Sequence, residues 1–440
     1  MIQIKPTTIF TAAFIAALVH PTAHAEDLMD TVSLAINADP TLAEATASTR
    51  SAEDAVKMQR AAMLPQVSLG MALEQRRGGD IDTRLGRQST RDIEGTVTQP
   101  VIDVPGFLAV SQAKSDAAAA AATMRDARQD FYLRVATAYV SVLLATDSLD
   151  TYLANEDAYR RQYDQTRIRF DQQLSAEVDM NQAKAYYLSV QSQRIDAENA
   201  LEQARQHLAT ITGSALGDLE RLRSDYPLVL PEEDLPRWLD TAASKNAGLA
   251  ASERTLEAAE TGIRAARSGH LPKLQLSYSY GKSSQWYELP AVASDQLRDA
   301  SAIGLRLTVP LYSGGAVHAG VRKAIAERDV RASQLEAAQR QVKYEVSTYF
   351  RALRQGIAQV EASREAVGAA EASVKSMQMG YEIGTQNLTN LVVAIGALAD
   401  SQGQYSRNRH EFVLNSLRLK RVAGTLSMQD LEELNRWLSH

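Results

Sequence analysis

The sequence contains no cysteine. Disulfides, and an acyl chain carried on an N-terminal cysteine, are therefore excluded. Proline is scarce and unevenly placed: of 12, none falls in 106–226 and none follows Pro310. Glycine numbers 23 and aromatic residues make up 6%, while Ala, Gln, Arg and Glu fill long stretches. Such a composition suits extended helices packed through small residues better than a globule with a large core. A strong charge bias is also missing. With 47 Lys and Arg against 53 Asp and Glu, the formal net charge is −6 and there is no basic block, which argues against nucleic acid as the main partner.

Long hydrophobic runs are absent too. The first 25 residues read as a cleaved export signal: Lys5, an apolar stretch over 9–19, and a small-x-small site at Ala23-His24-Ala25. After it, no apolar run approaches the roughly 20 residues that a membrane helix needs. Two options follow for an exported chain of this kind. It is a soluble periplasmic protein, or an outer-membrane protein whose membrane part is made of strands.

What is present is a duplication. "MLPQVSLGMALEQ" at Met63 matches "HLPKLQLSYSYGK" at His270, and "IEGTVTQPVIDVPG" at Ile93 matches "AIGLRLTVPLYSGG" at Ala302. A long proline-free block follows each pair. In the first block Phe131, Val135, Ala138, Val142, Ala145, Leu149 and Tyr152 step by four and three. In the second, Val342, Val346, Tyr349, Leu353, Gly356, Val360 and Ser363 do the same, each 211 positions later. A seven-residue repeat held this long imposes left-handed supercoiling on packed helices. The blocks break at "RFDQQLSAEVD" (Arg169) and "GYEIGTQNLTN" (Gly380), and a shorter helical stretch returns from each. About 67 residues of helix span roughly 100 Å, so each hairpin is lopsided, and helices over 28–63 and 235–267 are expected to supply the missing length.

The expected organisation is a signal over 1–25, a first repeat over 26–213, a linker over 214–238, a second repeat over 239–424 and a C-terminal segment over 425–440. Each repeat holds a helix, a strand pair (about 66–76 with 91–101, and 273–281 with 302–309) and a long helical hairpin (about 106–213 and 315–424). Alternation divides the strand faces: Val67, Leu69, Met71 and Leu73 oppose Ser68, Gly70, Ala72 and Glu74. The run lengths approach the 9–11 residues of a tilted membrane strand. Tyr278, Tyr280, Trp286, Tyr287 and Tyr312 lie near strand ends, as interfacial aromatics do. Two amphipathic hairpins of a soluble domain would show the same alternation. Four strands cannot close a barrel, for which about eight is the smallest number, so strands facing lipid would require several chains.

Catalytic signatures are missing. His207, His270, His318, His410 and His440 show no metal-ligand spacing, and "YGKSS" lacks the upstream glycine of a phosphate loop. No enzyme, cofactor or metal is expected.

"HLPKLQLS", "LTVPLYSGG", "GYEIGTQNL" and the closing "VAGTLSMQDL", in this order and with the internal repeat, resemble the TolC family of outer-membrane channel-tunnels over nearly the whole chain from Glu26. The resemblance implies a homotrimer in which four strands per chain form one twelve-stranded barrel in outer-membrane lipid. It further implies a coiled-coil tunnel through the periplasm, opening by iris-like rotation. A periplasmic adaptor (membrane fusion protein) and an inner-membrane transporter of the RND, ABC or MFS type are the implied partners, in drug efflux or type I protein secretion. The alternative is a periplasmic coiled-coil scaffold or adaptor without a pore.

The family's tunnel end is constricted by acidic residues after the Gly-Thr of the second hairpin; the matching positions here are Asn390 and Val393. Its closing network joins an arginine, a tyrosine and an aspartate. Tyr381 and Asp179 match the last two, but Gln386 stands for the arginine. The hairpin tips implied to meet the adaptor are Gln173 and Leu174, where the family has Gly-Leu, and Gly384 and Thr385. An entrance narrowed by Asn390 and Val393 is expected to be less cation-selective and less firmly locked than one ringed by carboxylates, unless Asp179 or Asp400 restores the charge.

Overall fold

The computed structural model describes residues 26–76, 88–230, 233–287 and 294–439. The expected export signal, the Tyr287 side chain and the tips of the two strand-joining loops lie outside these residues.

The first repeat runs α1 (Leu28–Ala38), α2 (Pro40–Ala61), β1 (Gln66–Arg76), β2 (Gln88–Ile102), α3 (Val104–Asp171) and α4 (Glu177–Thr212). After a two-residue strand β3 (Arg221–Leu222), the second repeats the order: α5 (Leu235–Lys245), α6 (Ala247–Arg267), β4 (Lys273–Tyr287), β5 (Ser294–Thr308), α7 (Ala316–Glu382) and α8 (Leu388–Val422). Helix α9 (Met428–Asn435) and β6 (Leu438–Ser439) close the chain. Helices α3 and α7, of 68 and 67 residues, are each about 100 Å long. The return helices α4 and α8 have 36 and 35 residues, and α2 and α6 flank the long helices where the return helices do not reach.

Short polar caps set the joints. Asp39 caps α2 by accepting from the Leu42 amide at 2.8 Å, and its counterpart Asn246 caps α6 through the Leu249 amide at 2.8 Å. The two caps then diverge. Asp39 takes both terminal nitrogens of Arg134 from α3, at 2.9 and 3.2 Å, whereas Asn246 Nδ2 donates to the Val422 carbonyl at 2.8 Å. Burial pushes the Asp39 carboxyl up, but hydrogen bonds from Arg134, Thr41 and the Leu42 amide, with the Arg134 charge, hold it below the usual range.

The heptad positions form the seams. Phe131, Val135, Ala138 and Val142 are buried together with Leu28, Val32 and Leu431, while Val346, Leu353 and Val360 are buried with Trp238, Phe412 and Leu419. Each fully buried large side chain contributes about 1.5–3 kcal/mol. Near the middle of α3 the small β3–β6 ladder and α9 add a belt, tied down by Tyr139 Oη, which lies 2.9 Å from the Glu220 carbonyl and 3.2 Å from that of Glu26.

The four long strands make one antiparallel sheet in the order β1-β2-β4-β5, so β2 and β4 join the two repeats. Val67, Val97, Tyr278 and Ile303 sit opposite one another across it. Three strands run past their expected ends. Strand β2 begins at Gln88, β4 continues to Tyr287 and β5 begins at Ser294. Apolar alternation stops at Tyr280, but the backbone ladder needs no apolar side chain, and pairs such as Ser89 with Trp286 and Lys282 with Asp299 continue it.

Candidate functional site at the hairpin tips

The two tips are built by the same backbone turn. After α3, the amides of Gln172, Gln173 and Leu174 donate to the carbonyls of Ile168, Phe170 and Arg169 at 3.1, 2.8 and 2.7 Å. After α7, those of Ile383, Gly384 and Thr385 donate to Met379, Tyr381 and Gly380 at 3.2, 3.2 and 2.8 Å. The turn needs one residue in the left-handed region: Gln173 has φ 60° and Gly384 φ 80°. Glycine takes that conformation without strain and glutamine does not.

Position 380 has no room for a side chain, because a Cβ there would lie 2.6 Å from Gln386 Cγ. Its counterpart in the first repeat is Arg169. The guanidinium of Arg169 lies over the Tyr381 ring, 4.8 Å from its centroid. An arginine therefore does reach Tyr381, but from the other hairpin and not from position 386. Gln386 instead accepts from Asn390 Nδ2 at 2.9 Å, while Asn387 caps α8 through the Asn390 amide at 2.9 Å. Asp179, in the first turn of α4, accepts from Ser175 Oγ at 3.2 Å. Among the described residues no hydrogen bond joins it to Tyr381 or Gln386.

Tyr159 is a further residue of the site. Its hydroxyl donates to the Val392 carbonyl at 2.7 Å, and its ring stacks on Tyr186 at 6.0 Å, which fixes α8 against α3 and α4 beside Val393. Burial, followed by the neighbouring Tyr186 and Asp400, pushes its hydroxyl up to about 12. Gln182 and Thr389 add a contact between the hairpins at 3.3 Å. Tyr159 stands seven residues after Tyr152, so the heptad that starts at Phe131 continues through it and marks it as a seam residue. Nothing in the local pattern singles out Arg169.

Four apolar side chains stand exposed at this end among polar neighbours such as Gln172, Glu177, Glu382 and Asn387. Leu174, Val178, Ile383 and Val393 are 60–76% exposed, and exposed apolar side chains brought together at one end mark an interaction surface. At the sheet, Tyr278 and Tyr280 share a face with Val97, Ile303 and Leu305, and Tyr312 lies exposed beyond β5. Trp286 lies about 20 Å further along β4 than Tyr280, past Lys282.

Residues 31–214 and 238–425 match the family described as "Outer membrane efflux protein". The chain belongs to that family. It is 30% identical to outer membrane protein TolC of Escherichia coli, over 94% of this chain and 85% of that protein. It is 28% identical to the proteases secretion protein PrtF of Dickeya chrysanthemi, over 94% of this chain and 92% of PrtF. The fold is that of the outer membrane protein VceC of Vibrio cholerae, with a TM-score of 0.78 and 19% identity, covering 90% of this chain and 96% of VceC. As an outer membrane efflux protein, the chain is an outer-membrane transport protein of the efflux and secretion channel type, with a helical tunnel part and a strand part. The family consists of channels and not enzymes.

Proposed function

We propose that three copies of this chain form one passive exit duct. The observation that carries this reading is the open sheet. Among the described residues β1 and β5 pair on one side only, and the face shared by Val67, Leu69, Met71, Ile303, Leu305 and Leu307 is 63–80% exposed. Unpaired edges and a bare apolar face are both costly in water and both resolved in lipid, if strands from further copies close the edges. Three copies of a four-stranded sheet supply twelve strands, enough to enclose a lumen. The opposite face, with Ser68, Glu94, Thr96, Ser277 and Ser279, is polar and lines it.

At the far end Asn390 and Val393 narrow the entrance and the Arg169–Tyr381 contact holds the hairpins closed, flanked by Asp179 and Gln386, each bonded within its own hairpin. An adaptor docks on the exposed tips around Gln173, Leu174, Gly384 and Thr385, and the hairpins rotate apart. The likeness to PrtF supports a type I secretion transporter as one partner, and the family description supports efflux transporters as others.

Light scattering on detergent-extracted protein, corrected for bound detergent, tests the assembly. A trimer that conducts ions in planar bilayers is expected. A monomer soluble without detergent would mean that the strands never meet lipid, and the duct reading would fall.

A further inference from the structure

The end of the tunnel helices nearest the strands carries a second constellation. Pairing of β4 with β5 sets Lys273 opposite Thr308, so the chain entering β4 runs beside the chain leaving β5. His270 closes the short 3-10 turn Ser268–His270 after α6, and His318 lies in the first turn of α7. The two rings approach to 5.8 Å between centroids, inclined at 60°. Neighbouring packing supports this approach, because Gly269 lies so close to the Val317 side chain that a Cβ at 269 would sit 3.3 Å from Val317 Cγ2.

Both imidazoles are exposed, and among the described residues neither hydrogen-bonds to another side chain or to the backbone. Their ring nitrogens are available as ligands. An imidazole bound at about 2.0–2.1 Å has its centroid roughly 3.2 Å from the metal, so two on one metal have centroids about 4.5–6.4 Å apart as the nitrogen–metal–nitrogen angle opens from right-angled to linear. The observed separation falls in that range. No third His, Cys, Asp or Glu completes a cluster among the described residues, so the protein supplies two nitrogen ligands and water the remainder. Neutral imidazole suits Cu(II), Ni(II) and Zn(II), with Cu(II) favoured, and does not suit Mg(II) or Ca(II).

We propose that His270 and His318 form a binding site for a divalent transition-metal ion, which straps the end of α6 to the start of α7. The site is independent of the gate. Along α7, His318 and Tyr381 are roughly 95 Å apart at 1.5 Å per residue.

Cu(II) titration of the untagged full-length protein in detergent, followed by electron paramagnetic resonance, tests the assignment. One Cu(II) per chain is expected, with hyperfine coupling to two nitrogens. His270→Ala and His318→Ala should each lower the affinity about tenfold or more and remove one coupled nitrogen, whereas His207→Ala should change neither. Both histidines are exposed, so the variants are expected to fold, and circular dichroism checks this. The same binding curve and the same two-nitrogen spectrum in His270→Ala and His318→Ala would overturn the assignment.

Discussion

Arg169, in the last turn of α3, holds its guanidinium 4.8 Å from the ring centroid of Tyr381, in the last turn of α7. One side chain thus ties the ends of both hairpins. A cation over an aromatic ring is worth about 0.5–2 kcal/mol, which corresponds to a change of roughly two- to thirty-fold in an opening equilibrium. Arg169→Gln is expected to raise the open fraction in single-channel recordings by a factor in that range. Tyr381→Phe keeps the ring and should behave like the parent, whereas Tyr381→Leu should match Arg169→Gln. A Tyr381→Leu channel as firmly closed as the parent would show that the contact does not lock the gate.

Asn390 and Val393, proposed above to narrow the entrance, carry no charge. A pore without a carboxylate ring has little field to concentrate cations. A reversal potential near zero is expected in asymmetric KCl. Asn390→Asp should move it toward the potassium equilibrium potential. Strong cation preference in the parent protein would mean that Asp179, Asp400 or another carboxylate already supplies the ring.

Gln173 and Gly384 occupy the same left-handed position of the same turn, with φ 60° and 80°. Gln173→Gly should stabilise the first tip by about 1 kcal/mol, and Gly384→Gln should destabilise the second by a similar amount. Thermal unfolding followed at 222 nm reads both, and shifts of the same sign would contradict the shared turn.

His410, in α8, is 2% exposed. Its Nδ1 lies 2.9 Å from the Ser406 carbonyl, which can only accept, so Nδ1 carries the proton, and Nε2 has no hydrogen-bond partner among the described residues. Asp147 faces it from α3 at 3.9 Å, bound by Ser406 Oγ at 2.5 Å, and Arg409 lies beside it on α8. Burial lowers the imidazole below its ordinary 6.5; the Ser406 carbonyl and Asp147 oppose that shift and Arg409 adds to it. The unfolded chain therefore binds the proton first. Stability is full above the ordinary value and falls as pH drops below it toward the folded value. His410→Gln should flatten this loss, measured as thermal unfolding between about pH 7 and 5. Asp39 acts in a lower window: its depressed carboxyl stabilises the fold above the ordinary carboxylate range, and that contribution is lost on further acidification. An unchanged pH profile in His410→Gln would rule out the histidine as its source.

Much of the architecture was legible in the chain. The seven-residue spacing of Phe131, Val135, Ala138 and Val142, and of their counterparts in α7, predicts the seams that are buried. The alternation of Val67, Leu69, Met71 and Leu73 predicts the bare face of β1. The strand ends were not legible, because Lys282 and Asp299 pair through backbone groups that every residue carries. At the tips, the turn positions and Tyr381 could be placed by the repeat. Their partners could not, and the arginine sought at position 386 comes instead from Arg169.

The sequence by itself determined whatever depends on neighbours along the chain: helix and strand periods, breaks, caps and the duplication. Burial of a periodic apolar stripe is a local demand, so its pattern is written in consecutive residues. Only the tertiary structure decided which distant side chains meet. Arg169 reaches Tyr381 because α3 and α7 run from the sheet to the same end of the molecule. His270 faces His318 because the antiparallel segments entering β4 and leaving β5 pass at a distance fixed by strand pairing and packing. That distance is a property of the whole fold, and no spacing within either segment records it.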